Sequence, residues 1–172
     1  MNRFLNLDAV KPKSRVFIDA NIFIYHFTGV SLQCTDLLKR CERGELSACT
    51  SINVLLEVLH RLMMIEVVKK KLLKPPNIVK KLHKNPEIVK QLDEYYINTA
   101  KIMKMNIQVV PIDQQLLETS NHARMMYGLL VNDSLIVAVM KKDKIKALAT
   151  NDDGFLVVDA IDVYKPIDLA IR

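Results

Sequence analysis

Residues 15–19 read Arg-Val-Phe-Ile-Asp, three large apolar side chains in an unbroken row that ends in a carboxylate. A strand with one face in water alternates apolar and polar residues. A short unbroken apolar run is instead covered on both faces, as in a parallel sheet packed between helices. Further short strands are read at 47–51, 107–111 and 147–150, with a fifth near 163–164. Helical spacing separates them. Residues 32–43 repeat it with Leu37, Leu38 and Cys41 and stop at Gly44; after Ser51 or Asn53 as cap, Val54, Leu55, Val58, Leu59, Leu62 and Ile65 continue it. Asp113 caps a segment reaching about Tyr127, and residues 134–142 form a very apolar helix for which Asp133 is a natural N-cap. Strands alternating with helices over 172 residues predict one α/β domain, 1–172, with a central parallel sheet.

The middle of the chain departs from that alternation. Lysines and the Pro75-Pro76 pair end the long helix, residues 77–84 suggest a short basic helix, and Pro86 starts another that runs to about Met105. Residues 69–104 hold ten lysines against Glu87, Asp93 and Glu94, an excess of seven (10 − 3) that outweighs the +6 of the whole chain. Such a basic helical extension, about 66–105, suits either a solvated hairpin or an anionic or protein partner.

Other features narrow the class. No apolar run approaches the roughly 18–20 residues of a membrane span, and residues 1–15 lack the apolar stretch and cleavage site of a secretory signal. Cys34, Cys41 and Cys49 form no CxxC pair, which fits reduced, buried thiols in a cytoplasmic protein. Four scattered histidines argue against zinc.

Asp19, Glu57, Asp133 and Asp152 each lie where a strand meets or feeds a helix, and each is flanked by apolar residues. An isolated carboxylate near a core is costly unless its charge is compensated. Four of them, with Asp19 and Asp152 both beyond strand ends on one rim of the sheet, point to a shared hard cation and to metal-assisted hydrolysis.

The ordered set Asp19-x-Asn21-x-x-x-Tyr25, Glu57 on a central helix, Asp133 before an apolar helix, and Thr150-Asn151-Asp152 with Phe155 resembles the PIN domain nucleases over about residues 16–165. The resemblance implies a three-layer α/β/α fold, a Mg²⁺ or Mn²⁺ site and cleavage of single-stranded RNA. The biological settings it implies are a VapC-type toxin held by an antitoxin and a housekeeping RNA-processing enzyme. Carried over position by position, Asp19, Glu57, Asp133 and Asp152 form the catalytic, metal-binding set. Thr150 orients a carboxylate, Asn21 braces the loop after the first strand, and Asp153 is an extra acid suited to a solvated turn. The basic extension separates this chain from the compact VapC-like members.

An acidic pocket repels a polyanion, so basic side chains around it must hold the strand. The candidates are Lys39, Arg40, Arg43, Arg61, Lys69, Lys70, Lys71, Lys74 and Arg124. A homodimer or partner surface is the alternative use of the extension. Asn21 breaks the DxDxT of a dehalogenase-like phosphatase. The first strand lacks the acidic pair of a phosphoaspartyl receiver, and four glycines leave no phosphate loop. A non-catalytic RNA- or protein-binding module on the same fold is the competing class.

Overall fold

The computed structural model describes residues 4–169. Its core is one six-stranded, all-parallel sheet, with helices packed over it in a three-layer α/β/α arrangement. The strands are β1 (Leu5–Asn6), β2 (Arg15–Ile18), β3 (Ser47–Ser51), β4 (Ile107–Val110), β5 (Ala147–Ala149) and β6 (Asp162–Lys165), in the order β1-β6-β5-β2-β3-β4. Val16, Phe17 and Ile18 have no solvent exposure, because β2 lies centrally with β3 and β5 as neighbours and helices on both faces. The five strands expected from the sequence are present. β1 is additional: two residues are too few for any periodicity to register, and only the parallel pairing of Leu5 and Asn6 with Tyr164 and Lys165 makes them a strand.

Helices α1 (Ala20–Phe27), α2 (Leu32–Glu42) and α3 (Ile52–Lys69) follow the first strands. Helices α7 (Gln114–Tyr127) and α8 (Val131–Lys142) meet at a 110° bend between β4 and β5. As expected, the Asp113 carboxylate accepts the Leu116 N–H (2.8 Å), and Gly128 closes α7 in the left-handed conformation. The start of α8 differs. The helix begins at Val131, and its N-cap is Leu130 rather than Asp133. Asp133 therefore sits in the first turn and accepts the Leu130 N–H from behind, the reciprocal half of a capping box. No single helix among the described residues is long and apolar enough to cross a membrane.

The extension also differs from expectation. Instead of one helix from Pro86 to about Met105, the chain forms α4 (Ile78–Lys84), a single turn α5 (Pro86–Val89) and α6 (Glu94–Ile102), broken at residues 90–93. The cause is non-local. Glu66 on α3, 3 % exposed, accepts the backbone N–H groups of Asp93 (3.1 Å) and Tyr95 (2.8 Å), so a side chain 27 residues upstream caps α6. Lys70 closes the arrangement at 2.6 Å from Glu66 and 3.1 Å from Asp93. Beneath it, Val67, Leu82 and Leu92 pack with Met63, Met64 and Ile88 in a small apolar cluster separate from the main core.

Burial works to raise the Glu66 carboxyl, but Lys70 and the N–H groups of the α6 terminus outweigh it and hold the carboxyl below its ordinary value of 4.5. A depressed carboxyl stabilises the fold above its unfolded pKa and ceases to do so as pH falls through its folded one. The α3–α6 junction should therefore loosen below about pH 4.5. Glu66→Ala, which strands two N–H donors, should lower stability by about 2–3 kcal/mol. Glu66→Gln should flatten the acid dependence. Urea unfolding as a function of pH measures both, and an unchanged pH profile in Glu66→Gln would contradict the assignment.

Candidate active site

The pairing of β2 with β5 places Ile18 opposite Ala149, so the next residues on each strand, Asp19 and Thr150, emerge side by side at the carboxyl ends. The Asp19 N–H extends the sheet by donating to the Ala149 carbonyl (3.0 Å). Its carboxylate then caps α1: Oδ1 accepts the Ala20 N–H at 2.7 Å. Oδ2 accepts the Thr150 hydroxyl at 2.6 Å and the Asn21 side-chain N–H at 2.7 Å. Thr150 Oγ1 in turn accepts from Asn21 Nδ2 (3.1 Å) and from the Asp152 backbone N–H (3.0 Å). One donor and two acceptor positions are all a hydroxyl has, so Thr150 links both acidic loops and has no capacity left.

Asn21 Oδ1 accepts the Asn151 N–H (2.9 Å), and Asn151 Nδ2 donates to the Tyr25 hydroxyl (3.1 Å). Tyr25 and Asn151 thus brace the loop that carries Asp152. Their signal in the sequence is only their spacing from Asp19 and Thr150. Asp152 Oδ1 accepts the Gly154 N–H (2.7 Å) and caps a 3-10 turn, Asp153–Val157. Asp153 faces another way. It stays exposed at the start of the 3-10 turn and pairs at 2.5 Å with Lys165, which is buried on β6, so it stands in the solvated turn and reaches away from the other acids toward a cation.

Glu57 lies half-buried on α3, and Asp133 half-buried in the first turn of α8. The four acids act on one another electrostatically. Asp19, 7 % exposed, titrates at about 6 instead of 3.8. Burial raises it most, the Thr150 and Ala20 hydrogen bonds oppose, and the charges of Glu57 and Asp133 raise it further. Asp133 is also raised, by burial and then by Asp152 and Glu57. For Asp19 the displacement corresponds to roughly 3 kcal/mol against the ionised form.

These donors are hard oxygens, and no cationic side chain is among the groups that displace Asp19 or Asp133. That chemistry fits a cation of the Mg²⁺ class. Among the described residues, no three acidic, histidine or cysteine side chains close tightly enough to hold a metal ion as they stand. Charge repulsion links the four acids without a finished cage. On the same rim, Asn53 at the start of α3 has a buried Nδ2 with no partner among the described residues, a donor that the reading of Asn53 as a helix cap does not anticipate.

The basic candidates divide. Arg40 donates to the Val10 carbonyl (2.5 Å) and Arg43 pairs with Glu45 (2.6 Å). Lys39 lies 3.8 Å from Asp36. Lys69 and Lys70 are held by Glu94, Glu66 and Asp93 across the α3–α6 junction. Arg124 bonds to the buried hydroxyls of Ser120 (2.8 Å) and Ser134 (2.9 Å), tying α7 to the turn of α8 beside Asp133. Arg61, Lys71 and Lys74 are exposed, and none of their side chains has an ion-pair partner among the described residues.

Residues 16–161 match the family model described as the PIN domain. The chain is 27 % identical over 157 residues to Ribonuclease VapC2 of Methanocaldococcus jannaschii, covering 89 % of this chain and 95 % of that protein. Among solved structures it resembles VapC20 of Mycobacterium tuberculosis, a sarcin–ricin loop cleaving toxin (TM-score 0.58, 16 % identity, 87 % of this chain and 98 % of the other). It also resembles VapBC2 of Rickettsia felis bound to a promoter DNA fragment (TM-score 0.56, 13 % identity, 88 % and 98 %). At these identities the structural likeness speaks for the fold.

A carboxyl raised by folding favours the native state at low pH and costs stability as pH rises through the interval from the unfolded to the folded value, here about 4 to 6. In EDTA, Asp133→Asn removes one repelling charge while keeping an oxygen for the Leu130 N–H. It should lower the Asp19 titration midpoint and raise the melting temperature at pH 7. Carboxyl ¹³C NMR and calorimetry read the two effects; a midpoint unmoved by the substitution would show that the acids are not linked.

Proposed function

The chain belongs to the PIN domain family, and from that premise we propose that it is a metal-dependent endoribonuclease of the VapC toxin kind, cutting single-stranded RNA with Asp19, Glu57, Asp133 and Asp152. The observation that carries this reading is the Asp19 carboxylate, held in place by three donors and raised by burial and then by the charges of Glu57 and Asp133, with no cationic group among the causes of its shift. The near full-length relation to a protein named as a ribonuclease supports the same reading.

Mg²⁺ or Mn²⁺ would be held by these four carboxylates, supplying charge neutralisation for the phosphodiester and activation of water. The chain's own residues do the positioning. Thr150 and Asn21 lock the rotamer of Asp19, and Tyr25 and Asn151 hold the loop of Asp152. Arg124 fixes the turn that presents Asp133. Arg61, Lys71 and Lys74 are the basic groups left to hold the strand. An antitoxin is the protein partner this reading implies, and the VapBC2 assembly is the parallel that supports it.

Asp19→Asn should keep the fold and lower cleavage of single-stranded RNA by more than the roughly 100-fold expected for losing a supporting group. Thr150→Val should fall within about 10–100-fold. Products should carry 5′-phosphates, and substrates lacking the 2′-hydroxyl at the cut should still react. Finding 2′,3′-cyclic phosphate ends by mass spectrometry would exclude water as nucleophile.

Combined Arg61→Gln, Lys71→Gln and Lys74→Gln should flatten the salt dependence of RNA binding by roughly 0.7 log units per log unit of salt for each phosphate no longer neutralised. Lys70→Gln should instead lower stability. Titrations at several salt concentrations, alongside urea unfolding, separate the two groups.

A further inference from the structure

We propose that the opposite end of the sheet carries a second site, a pocket for an amphipathic anion with an aliphatic body. The cavity, of about 520 Å³, lies between α7, α8 and the segments that lead into the amino ends of β5 and β6. Ala123, Val137, Met140, Ile145, Val158 and Ile161 form its apolar wall, and all but Ile161 are themselves buried. Its volume lies within the roughly 300–1,000 Å³ of small-molecule sites.

The charged groups of the pocket have one sign. Lys141, Lys144 and Lys146 line it, and among the described residues no acidic one does. Among the described residues none of the three ammonium groups has a carboxylate within ion-pair distance, whereas the neighbouring Lys142 is paired with Asp113 and Asp143 lies beside Arg15. Three unpaired lysines at an apolar cavity complement an anionic head on a hydrocarbon chain.

Lys144 adds a separate observation. It closes α8 in the left-handed conformation (φ 55°), with the Ile145 N–H returning to the Met140 carbonyl (2.8 Å). Glycine is the residue favoured at such a position; Lys13 and Lys71 adopt it elsewhere, and at Lys144 it fixes where the chain leaves α8 at the pocket. A helical peptide, about 10 Å across with its side chains, would not enter the cavity. A single alkyl chain would. The occupant would also touch α8, the helix that carries Asp133 seven residues before Met140, roughly 10 Å along the axis. Binding would thereby stiffen the element that presents an active-site acid.

The test uses the full chain with sodium decanoate, decyl phosphate and decan-1-ol, followed by methyl NMR and thermal shift. Decanoate or decyl phosphate should bind saturably, move the methyl signals of Val137, Met140, Ile145 and Val158, and raise the melting temperature. Which of the two binds more tightly identifies the head group. The triple variant Lys141→Gln, Lys144→Gly, Lys146→Gln should weaken anion binding at least tenfold and leave decanol unchanged. Glycine at 144 relaxes the backbone, so unfolding would not explain the loss. Ala160→Trp, at an exposed position of the lining, should block all three compounds. No saturable shift at millimolar ligand, anion binding undiminished in the triple variant, or shifts confined to residues outside the cavity would each overturn the proposal.

Discussion

The hydrogen bond from the Thr150 hydroxyl to the Asp19 carboxylate ties the sheet to its chemistry. It spans 131 residues of sequence yet joins adjacent strands. Removing a carboxylate from water is expensive, and here three donors offset that cost only in part, since Asp19 still titrates near 6. The remainder is an electrostatic demand that a cation or a proton can satisfy. The parallel pairing of β2 with β5 is what permits the arrangement: a register shifted by one residue would turn these side chains to the other face.

A second carboxylate shows the opposite balance. Glu66 is as inaccessible to solvent as Asp19, but it faces a lysine and a helix terminus instead of other acids, and its carboxyl is lowered. The two differ in what surrounds the charge. Glu66 stabilises the extension, with Lys69 and Lys70 drawn into the same junction, so part of the basic charge in that segment is structural.

How far the sequence can be read depends on the range of each interaction. The unbroken apolar run of β2, the cap at Asp113 and the stop at Gly128 are local, and their elements lie where periodicity places them. The break between α5 and α6 is not legible, because its cause is a carboxylate on α3. The start of α8 is displaced from its local signal, because Asp133 serves as the returning partner of a capping box whose N-cap is Leu130, a residue with no capping side chain. Tyr25 and Asn151 matter through a hydrogen bond across 126 residues, which spacing alone does not disclose.

The order of residues along the chain by itself determined the alternation of strands and helices, the burial of the central strand and the candidacy of the four acids, since each follows from local pattern and the cost of desolvating charge. The tertiary structure alone decided which groups surround each charge. It set Asp19 beside Thr150, turned Asp153 toward Lys165, engaged Arg124 with Ser120 and Ser134, and placed Lys141, Lys144 and Lys146 at an apolar cavity with no ion-pair partner among the described residues. The physical reason is that an ionisable side chain is defined by its neighbours within a few ångströms, and in a parallel sheet those neighbours come from segments far apart in sequence.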